Sequence, residues 1–314
     1  MKTTSIDPFP AGSLPPNSLP LWRSLLYVPT NVERFIDHAH TRGADVIQLD
    51  LEDSVPPAEK ERARGLVEPA LARVRRGGAD VVVRINRPLS LAVRDIEACV
   101  VEGVDGLAIT KISGAVHLQL FDELVSELEI RRGLPQGKIK FLAMIETPQA
   151  FLKIDEILRA SPRIVSASIG GEDFATACNM APTHETLLHP KQHMIISAMA
   201  AGVMPLGFIS SVADFSDMDA FRQMVRRSRT FGFMGASCIH PTQVSIVNEE
   251  YGPSTEEITW AHKVVDGYEE AKREGRASFA IDGAMIDIPV VVRAERLLAR
   301  QQAIAARAAS QGRL

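Results

Sequence analysis

Short apolar runs and helix signals alternate eight times along this chain, and that rhythm leaves few folds open. The runs are 25–28, 45–51, 80–85, 105–110, 141–145, 164–169, 203–208 and 236–240. Phe141-Leu-Ala-Met-Ile145 is continuously apolar, which suits a strand covered on both faces. Helices are read over 30–42, 57–76, 90–102, 115–132, 187–201 and 215–230, and others open at Pro148 and Pro241. Thr30-Asn-Val-Glu33 has the form of a capping box. Thr147 can cap a helix whose first turn takes Pro148. Gly77-Gly78 stops the helix over 57–76, with Arg73, Arg75 and Arg76 in its last turn. Eight such pairs predict a closed (β/α)8 barrel, the TIM barrel. An open doubly wound sheet is the alternative, but no Gly-x-Gly-x-x-Gly follows the first strand.

The ends of the chain differ from this rhythm. Residues 1–20 hold Pro8, Pro10, Pro15, Pro16 and Pro20 and little that can pack, so they are read as a flexible arm. The barrel is expected over 21–251. Residues 252–314 are read as a helical lid or oligomerisation segment, with helices at 254–273 and 289–309 and an irregular stretch at 277–287. A net charge of −4 offers no footprint for nucleic acid or a membrane surface. No apolar run approaches the roughly 20 residues of a membrane span, and no secretion signal is seen, so a cytoplasmic protein is expected. Cys99, Cys178 and Cys238 are isolated and are read as reduced, packed thiols.

A barrel gathers its site at the C-terminal ends of its strands. The polar residues there are Asp50, Glu52 and Asp53, then Arg84 and Asn86, then Lys111, Glu146, Glu172, Asp173 and His240. Any one acid could instead cap a helix or pair on the surface, and that reading is preferred for Glu59 and Asp155. Glu146 and Asp173 each follow a buried strand, and parallel neighbouring strands would bring them together. Two converging carboxylates suit Mg²⁺ or Mn²⁺. With Arg84 and Lys111 between them, they suit an anionic substrate held on a metal. His189 and His193 are four apart on a helix but lack a zinc protease's Glu, so a solvent-facing pair is preferred. Arg226-Arg-Ser-Arg229 is read as a solvated helix end. Gly170-Gly171 is read as letting backbone approach the metal or substrate.

Seven motifs in order carry a further resemblance: Arg23-Ser-Leu-Leu-Tyr-Val-Pro29, Leu49-Asp-Leu-Glu-Asp-Ser-Val55, Val83-Arg-Ile-Asn86, Met144-Ile-Glu-Thr147, Gly170-Gly-Glu-Asp-Phe174, Cys238-Ile-His-Pro241 and Met285-Ile-Asp-Ile-Pro289. From about Arg23 to Ala303 the chain resembles the HpcH/HpaI aldolase and citrate lyase β subunit-like proteins, which include malyl-CoA and citramalyl-CoA lyases. The resemblance implies a (β/α)8 barrel with a C-terminal lid, in trimers or hexamers. It implies that Glu146 and Asp173 bind Mg²⁺ and that Arg84 faces the substrate carbonyl. It implies that Asp287 is an acid/base residue, carried on the lid to a neighbouring subunit's site. Arg23, Tyr27, Arg34 and Lys111 are expected to help hold a CoA thioester or its 2-keto acid. Val32 and His38 stand where many CoA-using members have Arg and Lys, and Ala236-Ser237 where relatives often carry a lysine. The implied activity is carbon–carbon cleavage of a citramalyl-CoA or malyl-CoA type thioester to acetyl-CoA and a 2-keto acid. Alternatives are hydrolysis of the same thioester, or service as a citrate lyase β-like subunit on a carrier-bound acyl group.

Overall fold

The computed structural model describes residues 19–210, 217–276, 278–281 and 283–311; residues 1–18 of the expected arm lie outside them. Eight parallel strands run in the order expected for a barrel. They are β1 (Ser24–Pro29), β2 (Val46–Asp50), β3 (Asp80–Ile85), β4 (Gly106–Ile109), β5 (Lys140–Ile145), β6 (Ile164–Ile169), β7 (Met204–Leu206) and β8 (Ala236–Cys238). Each of β1 to β7 pairs with its sequence neighbour, and β8 pairs back onto β1. One bridge, Leu206 to Gly235, joins the remaining edges and closes the ring. At this seam the Gly207 amide donates to the Gly235 carbonyl at 2.8 Å, and the Met234 amide to the Pro205 carbonyl at 3.0 Å. Gly235 has to be glycine: a Cβ there would lie 2.0 Å from the Trp22 carbonyl oxygen.

Both faces of the strands are buried, which is why the sequence shows runs and not alternation. Leu25, Val46, Val82, Ala108, Leu142 and Met204 fill the barrel interior above Trp22. Their neighbours, such as Leu49, Val83, Phe141 and Ile145, pack outward against the helices.

Three local expectations are corrected. Thr30 and Glu33 form no capping box: the helix is Glu33–Ala39, Val32 precedes it without a side-chain cap, and the Thr30 hydroxyl donates instead to the Asp50 carbonyl at 3.0 Å. The helix over 57–76 is interrupted. Its α-helical parts are Lys60–Gly65 and Val67–Val74, broken where Gly65 weakens the interior. Within 277–287, the residues described form an antiparallel hairpin, β9 (Phe279–Ile281) and β10 (Ala284–Ile286).

The tail holds the helices Thr255–Arg273 and Ile288–Ser310. Ser254 caps the first, with Glu257 returning the bond to the Ser254 amide at 2.8 Å. Ala261, Val264, Ile286, Val291 and Ala294 make their shared core. The end of the last helix is fastened under the barrel. Arg307 donates to the Asp80 carboxylate at 3.1 Å and to the Asp45 carbonyl at 2.6 Å, and Arg300 to the Met234 carbonyl at 2.6 Å. The helix thus spans the N-terminal ends of the strands, opposite the mouth where a barrel's chemistry lies.

Candidate active site

The end of β2 and the side chain of Arg84 on β3 make the frame of the mouth. Arg84 grips Asp50 with two parallel bonds, Nε to Oδ1 and Nη2 to Oδ2, both 2.7 Å. Its Nη1 lies 2.9 Å from Glu52 Oε2, and its guanidinium stacks 4.8 Å above the Tyr27 ring on β1. A planar cation held by a carboxylate fork and an aromatic face has little freedom to turn. Burial alone would raise the Asp50 pKa, but the bonds from Arg84 win and hold it below the usual range. Burial pushes the Tyr27 phenol up, against the pull of Arg84.

Lys111, just past β4, extends the network. Its ammonium lies 2.6 Å from Glu52 Oε1 and 3.5 Å from Asp53 Oδ1. Its backbone is in the left-handed region, φ 47°, unusual for a residue with a side chain. That turn aims the Lys111 amide at Glu146, donating to Oε2 at 2.5 Å.

Glu146, at the end of β5, is only 2% exposed. Its pKa is pushed up to about 8, first by burial and then by the negative charges of Asp173 and Glu52; the Lys111 amide opposes this. Asp173 is exposed, in the first turn of a short helix, Gly171–Ala177, that follows β6. Gly170 precedes this helix, and a Cβ there would lie 2.6 Å from both Cγ and Oε1 of Glu146. Only a residue without a side chain lets β6 pass so close to the carboxylate. A buried carboxylate repelled by neighbouring acids is stabilised by a cation. Two carboxylates leaving room for water and substrate are a donor set that suits Mg²⁺. Glu146 and Asp173 thus fit a divalent cation.

The structure does not bring every expected residue to the mouth. Arg23 lies at the start of β1, on the barrel floor, in a two-bond pair with Asp45 at 2.8 and 2.9 Å. Arg34 is exposed on the first helix, against its neighbour Phe35. Asn86 is buried and bonded to Asp95 and to the Leu51 carbonyl, a structural role. Asp287 is exposed at the start of the last helix, where its carboxylate accepts from the Val290 amide at 3.4 Å. His189 and His193 are exposed around Phe151, as read. Cys99 and Cys238 are buried, and burial pushes their thiol pKa values up.

One mouth residue escaped the sequence reading. Lys191, in the helix His184–Ala201, is 5% exposed and donates to the Ser210 carbonyl at 3.1 Å. With Tyr27, Met144, Gly171 and Phe208 it lines a cavity of about 150 Å³ beside Glu172. Burial pulls its pKa down to about 8, against Glu172. It lies mid-helix between two histidines, far in sequence from any strand end, so strand-end reasoning could not find it.

Residues 23–241 match the family model described as HpcH/HpaI aldolase/citrate lyase. The chain is 33% identical to the citrate lyase subunit beta of Leuconostoc mesenteroides subsp. cremoris, over 90% of this chain and 94% of that one. It is 31% identical to an L-malyl-CoA/beta-methylmalyl-CoA lyase of Rhodobacter capsulatus, over 93% and 98%. Among solved structures, the protein CitE of Mycobacterium tuberculosis in complex with magnesium, acetoacetate and coenzyme A superposes with a TM-score of 0.70. That match has 27% identity and covers 89% of this chain and 97% of that one. With its barrel, its mouth and its sequence in agreement, the chain belongs to the HpcH/HpaI aldolase/citrate lyase family.

Proposed function

We propose that the protein is a divalent-cation-dependent carbon–carbon lyase. Its substrate is a citramalyl-CoA or malyl-CoA type thioester, and its products are acetyl-CoA and a 2-keto acid. The observation that carries this reading is Glu146, a buried carboxylate held by the Lys111 amide and acted on by the charge of Asp173. The malyl-CoA lyase and citrate lyase β relatives support the reaction class, and the magnesium in the CitE complex supports the ion.

Glu146 and Asp173 would hold Mg²⁺, with Mn²⁺ as a substitute. A bound cation of this kind would polarise hydroxyl and carboxylate oxygens and ease loss of the hydroxyl proton to solvent. Arg84, locked by Asp50 and Tyr27, presents fixed positive charge where the keto oxygen forms. Tyr27 and Lys111 border the same mouth and hold the substrate. As the bond breaks, its electron pair passes to the methylene carbon of the thioester enolate. Asp287, protonated, gives that carbon its proton. It is fixed to a helix whose far end is tied beneath its own barrel, so it serves a neighbouring subunit in a homotrimer or hexamer. A carrier-bound acyl group is a second reading, favoured by Val32 and His38, where the family resemblance implies cations in many CoA-using members.

The test is release of 2-keto acid from citramalyl-CoA and malyl-CoA by the purified protein, with and without Mg²⁺. Metal-dependent keto acid is expected, falling roughly 10³-fold in Glu146→Gln. Thioester loss with intact hydroxy acid would instead make the enzyme a hydrolase. Failure to turn over either thioester with metal present would sink the free-CoA reading and favour the carrier-bound one.

A further inference from the structure

A second feature, outside the mouth, lies beneath the barrel. A cavity of about 670 Å³ opens between the last helix and the strand starts, where Leu21 precedes β1, Gly202 precedes β7 and Met234 precedes β8. Its size falls within the roughly 300–1,000 Å³ of ordinary small-molecule sites. Part of its wall is apolar, supplied by Leu21, Met199, Met234 and Leu297. Its charged groups are almost all of one sign. Arg229, Arg293, Arg296 and Arg300 line it, against a single carboxylate, Glu257. Glu257 is already engaged by Arg229 at 2.8 Å.

Two of these arginines form no ion pair among the described residues. Among the described residues Arg300 pairs with no carboxylate; its guanidinium donates to the carbonyls of Met234, at 2.6 Å, and Tyr251, at 3.2 Å. Burial, then the neighbouring positive charge of Arg23, lower its pKa to about 10; the Asp45 carboxylate opposes this and Arg229 adds to it. Arg293 stacks on Trp260, 5.3 Å from its ring centre, and likewise pairs with no carboxylate. Positive charge in excess around a partly apolar space favours entry of an anion.

We infer that this cavity is a second binding site, separate from the mouth, for an amphipathic organic anion: a carboxylate or phosphate head on the arginines and an apolar body against Met199 and Leu297. The site does not depend on the lyase reading, since it shares no residue with the mouth. A ligand there bridges the last helix and the barrel floor, so it ties down the helix that begins at Asp287. Binding to the folded form alone also raises the melting temperature with ligand concentration.

The experiment is calorimetric titration of the intact protein with decanoate below its micelle concentration, and separately with inorganic phosphate. Saturable one-to-one binding of decanoate is expected, with a rising melting temperature and weaker binding of phosphate. Arg300→Met should weaken decanoate at least 10-fold. Arg293→Gln, at an exposed position outside the carbonyl-bonded frame, should weaken it several-fold and covers the case in which Arg300→Met does not fold. Absence of saturable decanoate binding, or affinity unchanged in Arg293→Gln, would overturn the site. Phosphate binding as tightly as decanoate would overturn the amphipathic class.

Discussion

A carboxyl group whose pKa is about 8 is still largely protonated at neutral pH, and Glu146 is such a group in the metal-free protein. A metal must displace that proton. Divalent-cation affinity should therefore rise about tenfold per pH unit between pH 6 and 8 and level off above. Titration of Mg²⁺ at several pH values checks this, and a flat profile would contradict it. The sign for stability is opposite. The folded form holds the proton more tightly than the unfolded chain, so this contribution is full below the ordinary carboxylate range. It is lost as pH rises through about 8. Glu146→Gln should remove both dependences. At this scale the sequence was informative where a polar residue ended an apolar strand, as with Arg84 and Glu146. It was silent about Lys191, whose burial comes from packing of a helix against the mouth. Arg23 shows another limit: a motif can mark kinship while its arginine serves Asp45 on the floor.

Elements set how closely these groups approach. β6 comes near Glu146 because Gly170 has no side chain. Gly170→Ala should keep the fold, with an unchanged circular dichroism spectrum, yet drive the Glu146 carboxylate aside. A loss of at least tenfold in Mg²⁺ affinity is expected, about 1.4 kcal/mol. Affinity equal to that of the wild type would show that the contact relaxes without consequence. The strands were legible because burial on both faces leaves continuous apolar runs. The first helix start was misread because the Thr30 hydroxyl and amide both donate to the Asp50 carbonyl of another strand, which keeps Thr30 with the sheet and leaves Val32 at the helix start. No local pattern reveals a competitor brought by tertiary structure. The hairpin of β9 and β10 has three-residue strands, too short for an alternation to register.

At the scale of the whole molecule, the last helix has two unlike ends. Its 23 residues reach about 35 Å, from Arg307 under the barrel to Asp287 in the open. Met285 and Ile288, exposed beside Asp287, make an apolar tip suited to another subunit. Asp287→Asn and Glu146→Gln proteins, each inactive alone, should regain activity when their subunits are mixed and reassembled. No rescue, with mixing verified by mass, would place Asp287 at its own barrel or outside the chemistry.

The ring itself is closed late. β8 pairs with a strand made more than two hundred residues earlier, and Gly235 supplies the bridge to β7. During synthesis, then, the outer edge of β1 stays without its partner until nearly the whole barrel has left the ribosome. An open strand edge is a place where chains stick to one another. The growing chain is consequently most vulnerable in the interval between emergence of β7 and emergence of β8, when seven strands are present and neither edge is covered.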